Sequence, residues 1–318
     1  MTSPALLRLM AKVARLYHEQ GLRQTEIAER LALSQARVSR LLKQAEREGL
    51  VRTTVSLPPG FHPELEERLQ ARYGLREAVV TDCDADDDLE ALRRVGVAAA
   101  AYLETTVMPG EVLGISSWSE TLLTMLDNLR PAGRPTAEAV IQILGGAGNP
   151  AAEGHATRLT SRLAQLVGGE ARFLPAPGVV GSPESRRALL DDPFVAAAMR
   201  WMDDITLAIV GIGALTPSKL LAASGNVFTR AELAQLDELG AVGDICLRFY
   251  DADGKPVASP LDERVVGLDL ERLKHTRRAV AVAGGPRKHA AILGALRGRL
   301  VNVLITDRFT AERLASAA

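Results

Sequence analysis

Between Leu6 and Ala45 the apolar positions recur every three to four residues. They fall into three groups: Leu6, Leu9, Met10, Val13, Leu16 and Tyr17; then Ile27, Ala28 and Leu31; then Val38, Leu41, Leu42 and Ala45. That spacing predicts three amphipathic helices. Gly21 reads as the C′ residue of the first, Gln24 to Leu31 as a two-turn second, and Ala32, Leu33 and Ser34 as a tight connection. Ser34 then stands as N-cap of a third helix over Gln35 to Glu48. Helix, short turn, helix is an arrangement used to enter a DNA groove. The stretch from Glu48 to Val55, with Gly49 at its head, reads as a helix stop and a short strand, the start of a small β-wing.

Pro58, Pro59 and Gly60 break the periodicity and divide the chain into residues 1–56 and 57–318. A short helix with Leu65, Leu69 and Tyr73 on one face follows, readable as a spacer or a dimer contact, and then the apolar run Ala78-Val79-Val80. Further strands are expected at Val112 to Ile115, Val140 to Leu144, Ile205 to Val210, Ile245 to Phe249, Ala279 to Ala283 and Leu300 to Thr306, with helical periodicity between most of them. Alternation of this kind predicts the α/β class, a mainly parallel, Rossmann-like sheet covered by helices, behind a small all-α module. Four strands end in small or polar residues: Gly114 to Ser117, Gly145-Gly146-Ala147-Gly148, Gly211-Ile212-Gly213 and Gly284-Gly285. In an open parallel sheet ligands bind at the carboxyl ends of strands. One glycine at such a turn is ordinarily steric in purpose. Four together predict a cleft for a polar small molecule.

Composition adds little to this and charge adds a good deal. Apolar residues make up 47% and charged residues 24% of 318, which excludes disordered and fibrous classes, and aromatics at 4% suit a parallel sheet better than a sandwich. The net charge is −1, but residues 1–56 hold ten Lys or Arg against five acids, +5 in all, leaving −6 on the remainder. A basic module on an acidic body is the electrostatic footprint of DNA binding. The outward residues near the start of the third helix, Gln35, Ala36, Arg37, Ser39, Arg40 and Lys43, are base and phosphate readers, joined by Ser34 at the cap and Thr25 on the helix before. A merely solvated face is more often laced with Glu.

Cys83 and Cys246 offer no disulfide framework and no CxxC spacing, which points to a reducing, cytoplasmic compartment and away from structural zinc. The longest apolar runs, Val95 to Leu103 and Ile205 to Leu215, fall short of the roughly 18 residues of a membrane span. Arg8, Lys12 and Arg15 look superficially like a transit peptide but sit on the first helix. Serine-hydrolase, Walker, zincin and dinucleotide motifs are absent; GxSxG fails at position 118, where its closing glycine would stand and the chain has Trp. No cofactor or metal is called for. His18, His62, His155, His275 and His289 have no ligand spacing. Lys288, near the start of a helix, is a cation where the dipole favours an anion, which hints at an anionic partner.

The chain resembles, over nearly its full length, the SorC family of bacterial sugar-binding transcriptional regulators. The resemblance is carried by Gln24 to Val51, with Val38-Ser39-Arg40-Leu41-Leu42 and Glu48-Gly49-Leu50-Val51, and by Gly114-Ile115-Ser116-Ser117-Trp118 and Leu174-Pro175-Ala176-Pro177. Gly240 to Ile245, Arg248 to Gly254, Ala283-Gly284-Gly285 with Lys288, and Leu304-Ile305-Thr306-Asp307 continue it in order. It implies an operator-reading module and an effector domain similar in fold to glucosamine-6-phosphate deaminase and ribose-5-phosphate isomerase, within a homo-oligomer built as a dimer of dimers. It also implies that the loop Ser116, Ser117, Trp118, Ser119 and Thr121 holds a phosphate; the strand end at Gly145 and Gly146 is expected to join it in the effector site. His155 would then face the sugar, Asp244 accept from hydroxyls, and Lys288 pair with phosphate. The chain departs from the family at Trp118-Ser119-Glu120-Thr121, where many members read Trp-Gly-x-Thr, and at Leu144, where bisphosphate readers carry Arg. A bisphosphate is disfavoured; a monophosphate and an unphosphorylated sugar or polyol stay open. The rival reading is a sugar-phosphate isomerase or deaminase carrying a DNA-binding arm, with Asp244, His155 or Lys288 as acid and base.

Overall fold

The computed structural model describes residues 3–52, 58, 60–134, 136–148, 153–226 and 228–317, the side chains of 153–156 excepted. The chain forms two compact units, Met1–Pro59 and Gly60–Ala318. In the first, α1 (Pro4–His18), α2 (Gln24–Leu31) and α3 (Gln35–Arg47) close around Met10, Val13, Leu16, Ile27, Val38, Leu41 and Leu42. Each large aliphatic side chain buried there is worth about 2 kcal/mol against exposure. Ser34 caps α3, its Oγ accepting from the Arg37 N–H at 3.3 Å. The turn is made by Ala32 in the left-handed region at φ 52°, and Gly21, at φ 67°, carries the chain away from α1. The expected wing strand falls mainly on residues 53–57, outside the described residues.

The second unit runs α4 (Pro63–Tyr73), β1 (Glu77–Thr81), α5 (Asp88–Thr106), β2 (Glu111–Ile115), α6 (Glu120–Asn128), β3 (Ala137–Gln142), α7 (Glu153–Val167) and β4 (Glu170–Arg172). After α8 (Pro183–Asp191) and α9 (Pro193–Trp201) come β5 (Leu207–Val210), β6 (Gly213–Ala214), α10 (Lys219–Ser224), α11 (Arg230–Glu238), β7 (Ala241–Ile245) and β8 (Arg248–Asp251). It closes with α12 (Leu270–His275), β9 (Arg278–Val282), α13 (His289–Arg297), β10 (Val303–Asp307) and α14 (Arg308–Ser316).

Seven strands form one parallel sheet in the order β1-β10-β9-β5-β2-β3-β4. Strands β2, β5, β9 and β10 are buried along their whole length, and apart from polar residues at their ends, such as the buried pair Glu111 and Arg278, they read as apolar runs. Side chains alternate between two cores: Leu207, Ile209, Val280 and Val282 face one with α5, α6 and α7, while Ala208, Val210, Ala279 and Ala281 face the other. The edge strand β1 alternates instead. Helix α4 belongs to this unit, with Leu69 and Tyr73 buried and the Tyr73 hydroxyl donating to Leu314 O at 2.7 Å, so it is neither a spacer nor free for a dimer contact on that face.

The strand expected at Ile245 to Phe249 is not one strand of the parallel sheet. It is the turn of an antiparallel hairpin, β7 to β8, extended by β6 into a separate three-stranded sheet. Cys246 and Leu247 both have positive φ, 53° and 62°, as a type I′ turn demands.

Candidate functional site

On the first unit the exposed start of α3 presents Ser34, Gln35, Ala36, Arg37, Arg40 and Lys43, with Ser39 half-buried and Thr25 exposed on α2. Arg37, Arg40 and Lys43 make no ion pair among the described residues, and the acids of α3 and its cap, Glu46 and Glu48, stand at the other end. Arg40 Nε is held by Ala36 O one turn back, at 3.3 Å. Ser34 spends its hydroxyl lone pair on the cap. The helix dipole and the three cations therefore add on one face.

The second unit contains a cavity of about 580 Å³, a size suited to a small polar molecule. Chain order explains its place. From β2 the strands proceed one way to β3 and β4, then the chain returns past β2 and proceeds the other way through β5, β9 and β10. The cavity opens at the carboxyl ends of β2 and β5, where that direction reverses, with Ser116 following β2, Gly211 following β5 and Gly284 following β9. Leu144 reaches it from the end of β3, and Asp244 and Leu247 from the hairpin.

Asp244 is 8% exposed, and its Oδ2 accepts from the Leu247 N–H at 3.0 Å. Burial pushes its carboxyl up from 3.8 to about 6, opposed by that hydrogen bond and by Lys288. Gly213 is required beside it, since a β-carbon there would lie 2.0 Å from Asp244 Oδ1. Lys288 is half-buried and its ammonium has no hydrogen bond or ion pair among the described residues. Burial, with Arg287 next, pulls it below its ordinary value, while Asp244, Asp88 and Glu120 act the other way. The turn bearing Lys288 is clamped by Asp307, whose Oδ2 accepts from the Gly285 N–H at 2.8 Å and from Thr310 Oγ at 2.6 Å. Asp88 accepts from the Arg287 N–H at 3.2 Å and lies 3.5 Å from its guanidinium.

Ser119 caps α6, its Oγ accepting from the Leu122 N–H at 3.3 Å. Trp118, Ser119, Glu120 and Thr121 line the wall beside it, and Trp118 carries a buried indole N–H without an acceptor among the described residues. Of the expected site residues, the structure thus gathers Ser116, Trp118, Ser119, Thr121, Asp244 and Lys288. Ser117, Gly145 and Gly146 do not line the cavity. Ser117 turns away, donating to Leu144 O at 2.8 Å. Gly145 and Gly146 are buried off the cavity; a β-carbon on Gly145 would lie 2.2 Å from Pro177 O, so that glycine serves packing between segments. His155 lies in α7, but its side chain is outside the described residues. The sequence reading missed Asp88, Arg287 and the wall Thr216-Pro217-Ser218. The Asp87-Asp88 cap before α5 and the Pro217-Ser218 turn were the available signals.

Two families of sequence match the chain: residues 58–316 match the model described as "Putative sugar-binding domain", and residues 13–58 match the MarR family. The sorbitol operon regulator of Klebsiella pneumoniae is 31% identical over 97% of this chain and 98% of its own. The deoxyribonucleoside regulator of Bacillus subtilis is 32% identical over 96% and 97%. The crystal structure of the full-length sorbitol operon regulator from Klebsiella pneumoniae superposes with a TM-score of 0.70 at 29% identity, covering 98% of this chain and 99% of that one.

Proposed function

The chain belongs to the SorC family of sugar-binding transcriptional regulators, and we propose that its cavity is the effector site through which a carbohydrate controls operator binding by α3. The protein is a DNA-binding transcriptional regulator controlled by a sugar effector. On this reading Arg37, Arg40 and Lys43 neutralise phosphates or read guanine, Gln35 reads adenine, and Ser34, Ala36, Ser39 and Thr25 fix the approach. Residues 1–56 form the operator-reading domain and residues 57–318 the effector and oligomerisation domain. A dimer of dimers in the cytoplasm fits the family; among the described residues no helix is long and apolar enough to cross a membrane.

The observation that carries the effector assignment is the convergence of Ser116, Ser119, Asp244 and Lys288 on one cavity at the point where strand order reverses. Ser119, Thr121 and Asp244 supply hydroxyl and carboxylate acceptors, and Lys288 a donor. Coupling to DNA requires only that one arrangement of the protein bind effector more tightly, typically 5- to 150-fold.

The test is fluorescence anisotropy of a labelled duplex from the regulator's own upstream region, with thermal melting across pentoses, hexoses and polyols, with and without phosphate. We expect at least one compound to raise the melting temperature and to change DNA affinity by about fivefold or more. A compound that binds the cavity and leaves DNA affinity unchanged sinks the reading.

A further inference from the structure

We propose that the effector is an unphosphorylated polyhydroxy compound, a free sugar or polyol, because Asp88, Glu120 and Asp244 line the cavity and Glu120 stands at the head of α6, where an effector phosphate would otherwise be favoured. This rests on the effector assignment above.

Among the described residues the charged lining divides evenly. Its cations are Lys219, Arg287 and Lys288, and its acids are Asp88, Glu120 and Asp244. Arg287 is taken by Asp88, through both its guanidinium and its backbone N–H. Lys219 is exposed, where solvent and salt screen it. Lys288 is left as the one half-buried cation without a direct partner among the described lining residues, and Asp244, Asp88 and Glu120 all act on it. A cation at this turn implied an anionic partner when read from sequence. The structure sets three acids of the chain, Asp88, Glu120 and Asp244, in the same lining as that cation.

The helix that would hold a phosphate is likewise answered. Glu120 is the first residue of α6, directly after the Ser119 cap. A carboxylate there takes up the favourable field of the free N–H groups and repels a second anion. A phosphate dianion seated at Ser119 would meet Glu120 beside it and Asp244 in the same lining, with Lys288 the one half-buried cation in support that the described residues leave unpaired. A polyol meets no such conflict. Its hydroxyls donate to Asp244 and Glu120 and accept from Lys288, and each hydroxyl does both. The backbone of Cys246 and Leu247, held in a conformation unfavourable for non-glycine residues, fixes Asp244 for that purpose.

The experiment is isothermal titration of the full chain with matched pairs: D-sorbitol and sorbitol 6-phosphate, D-fructose and fructose 6-phosphate, D-ribose and ribose 5-phosphate, with inorganic phosphate as competitor. We expect every pair that binds to favour the unphosphorylated member by about tenfold or more, with affinity insensitive to salt and to inorganic phosphate. Glu120→Gln is expected to narrow that ratio by about tenfold, chiefly by strengthening the phosphorylated member. A phosphorylated member that binds as tightly as its partner, or tighter, overturns this inference and leaves the effector assignment intact. Glu120→Gln without effect on the ratio overturns the role of the carboxylate. No heat from any pair overturns both readings.

Discussion

The side chains proposed to read DNA lie between Thr25 and Lys43 on two adjacent helices, and none is buried. Those lining the cavity arrive from Asp88, Ser116, Gly211, Asp244 and Lys288, on separate helices, strands and turns joined only by the fold. The first group is fixed by hydrogen bonds to near neighbours: Ser34 to Arg37, Arg40 to Ala36. The second is fixed at long range, Asp307 holding the Gly285 turn and Gly213 making room for Asp244. Outward, locally fixed chemistry is separable from stability. Inward, remotely fixed chemistry is bound up with it, because each polar group in the cavity is desolvated by the same packing that places it.

The widest gap between the two should appear in the double variant Arg37→Ala with Arg40→Ala. Both side chains are exposed and neither supports the core. Each phosphate or base contact is worth about 1–3 kcal/mol, so operator affinity should fall by on the order of a hundredfold, with a shallower dependence on salt. Melting temperature and the effector-induced shift should stay as they were, measured by anisotropy and calorimetry on the same preparation. A lost effector shift in this variant would mean that the two regions are not separable.

Asp244→Asn probes the opposite case. The carboxyl titrates near 6 in the folded protein and near 3.8 in an unconstrained chain, so the folded state holds this proton more tightly. Asp244 therefore stabilises the fold below about pH 4, loses that contribution as pH rises to about 6, and is level above. About two pH units of displacement correspond to roughly 3 kcal/mol. The isosteric amide keeps an oxygen for the Leu247 N–H and carries no charge. We expect the variant to be more stable than the parent at pH 7.5 by up to about 3 kcal/mol, the advantage disappearing below pH 4, while effector binding weakens. Denaturant midpoints at several pH values give the answer. An equal difference at pH 4 and pH 7.5 would show that the charge is not its source.

The same contrast decided what was legible beforehand. Helices α1 to α3 and strands β2, β3, β5, β9 and β10 follow from apolar spacing alone, because a helix stripe and a doubly buried strand each leave a continuous local signature. The cap at Ser34 was equally plain. The hairpin β7–β8 was not, since its turn is Cys246-Leu247 where type I′ chemistry calls for Asn-Gly, and the run Ile245 to Phe249 hides the reversal inside one apolar stretch. Glycine-rich strand ends found three of the cavity's walls and misassigned a fourth. Gly145 is small for the sake of Pro177, and nothing near it in sequence says so. The pairing of Arg287 with Asp88 is a long-range fact of the same kind.

The smallest effect tests the local side of the comparison most directly. Ser34→Ala removes the hydroxyl that accepts from the Arg37 N–H and leaves that donor at the head of α3 to water. Loss of such a cap costs about 1 kcal/mol. The cost should fall on the first unit, whose core is the cluster of α1, α2 and α3, and should show as greater hydrogen exchange at the amides of Arg37 and Val38. DNA affinity should weaken several-fold, since Gln35 and Arg37 sit on the turn that frays, while effector affinity and protection of β2, β5 and β9 stay constant. Altered exchange in those strands would show that the cap's influence crosses into the effector unit, and that the two regions differ in where their chemistry faces but not in how they are stabilised.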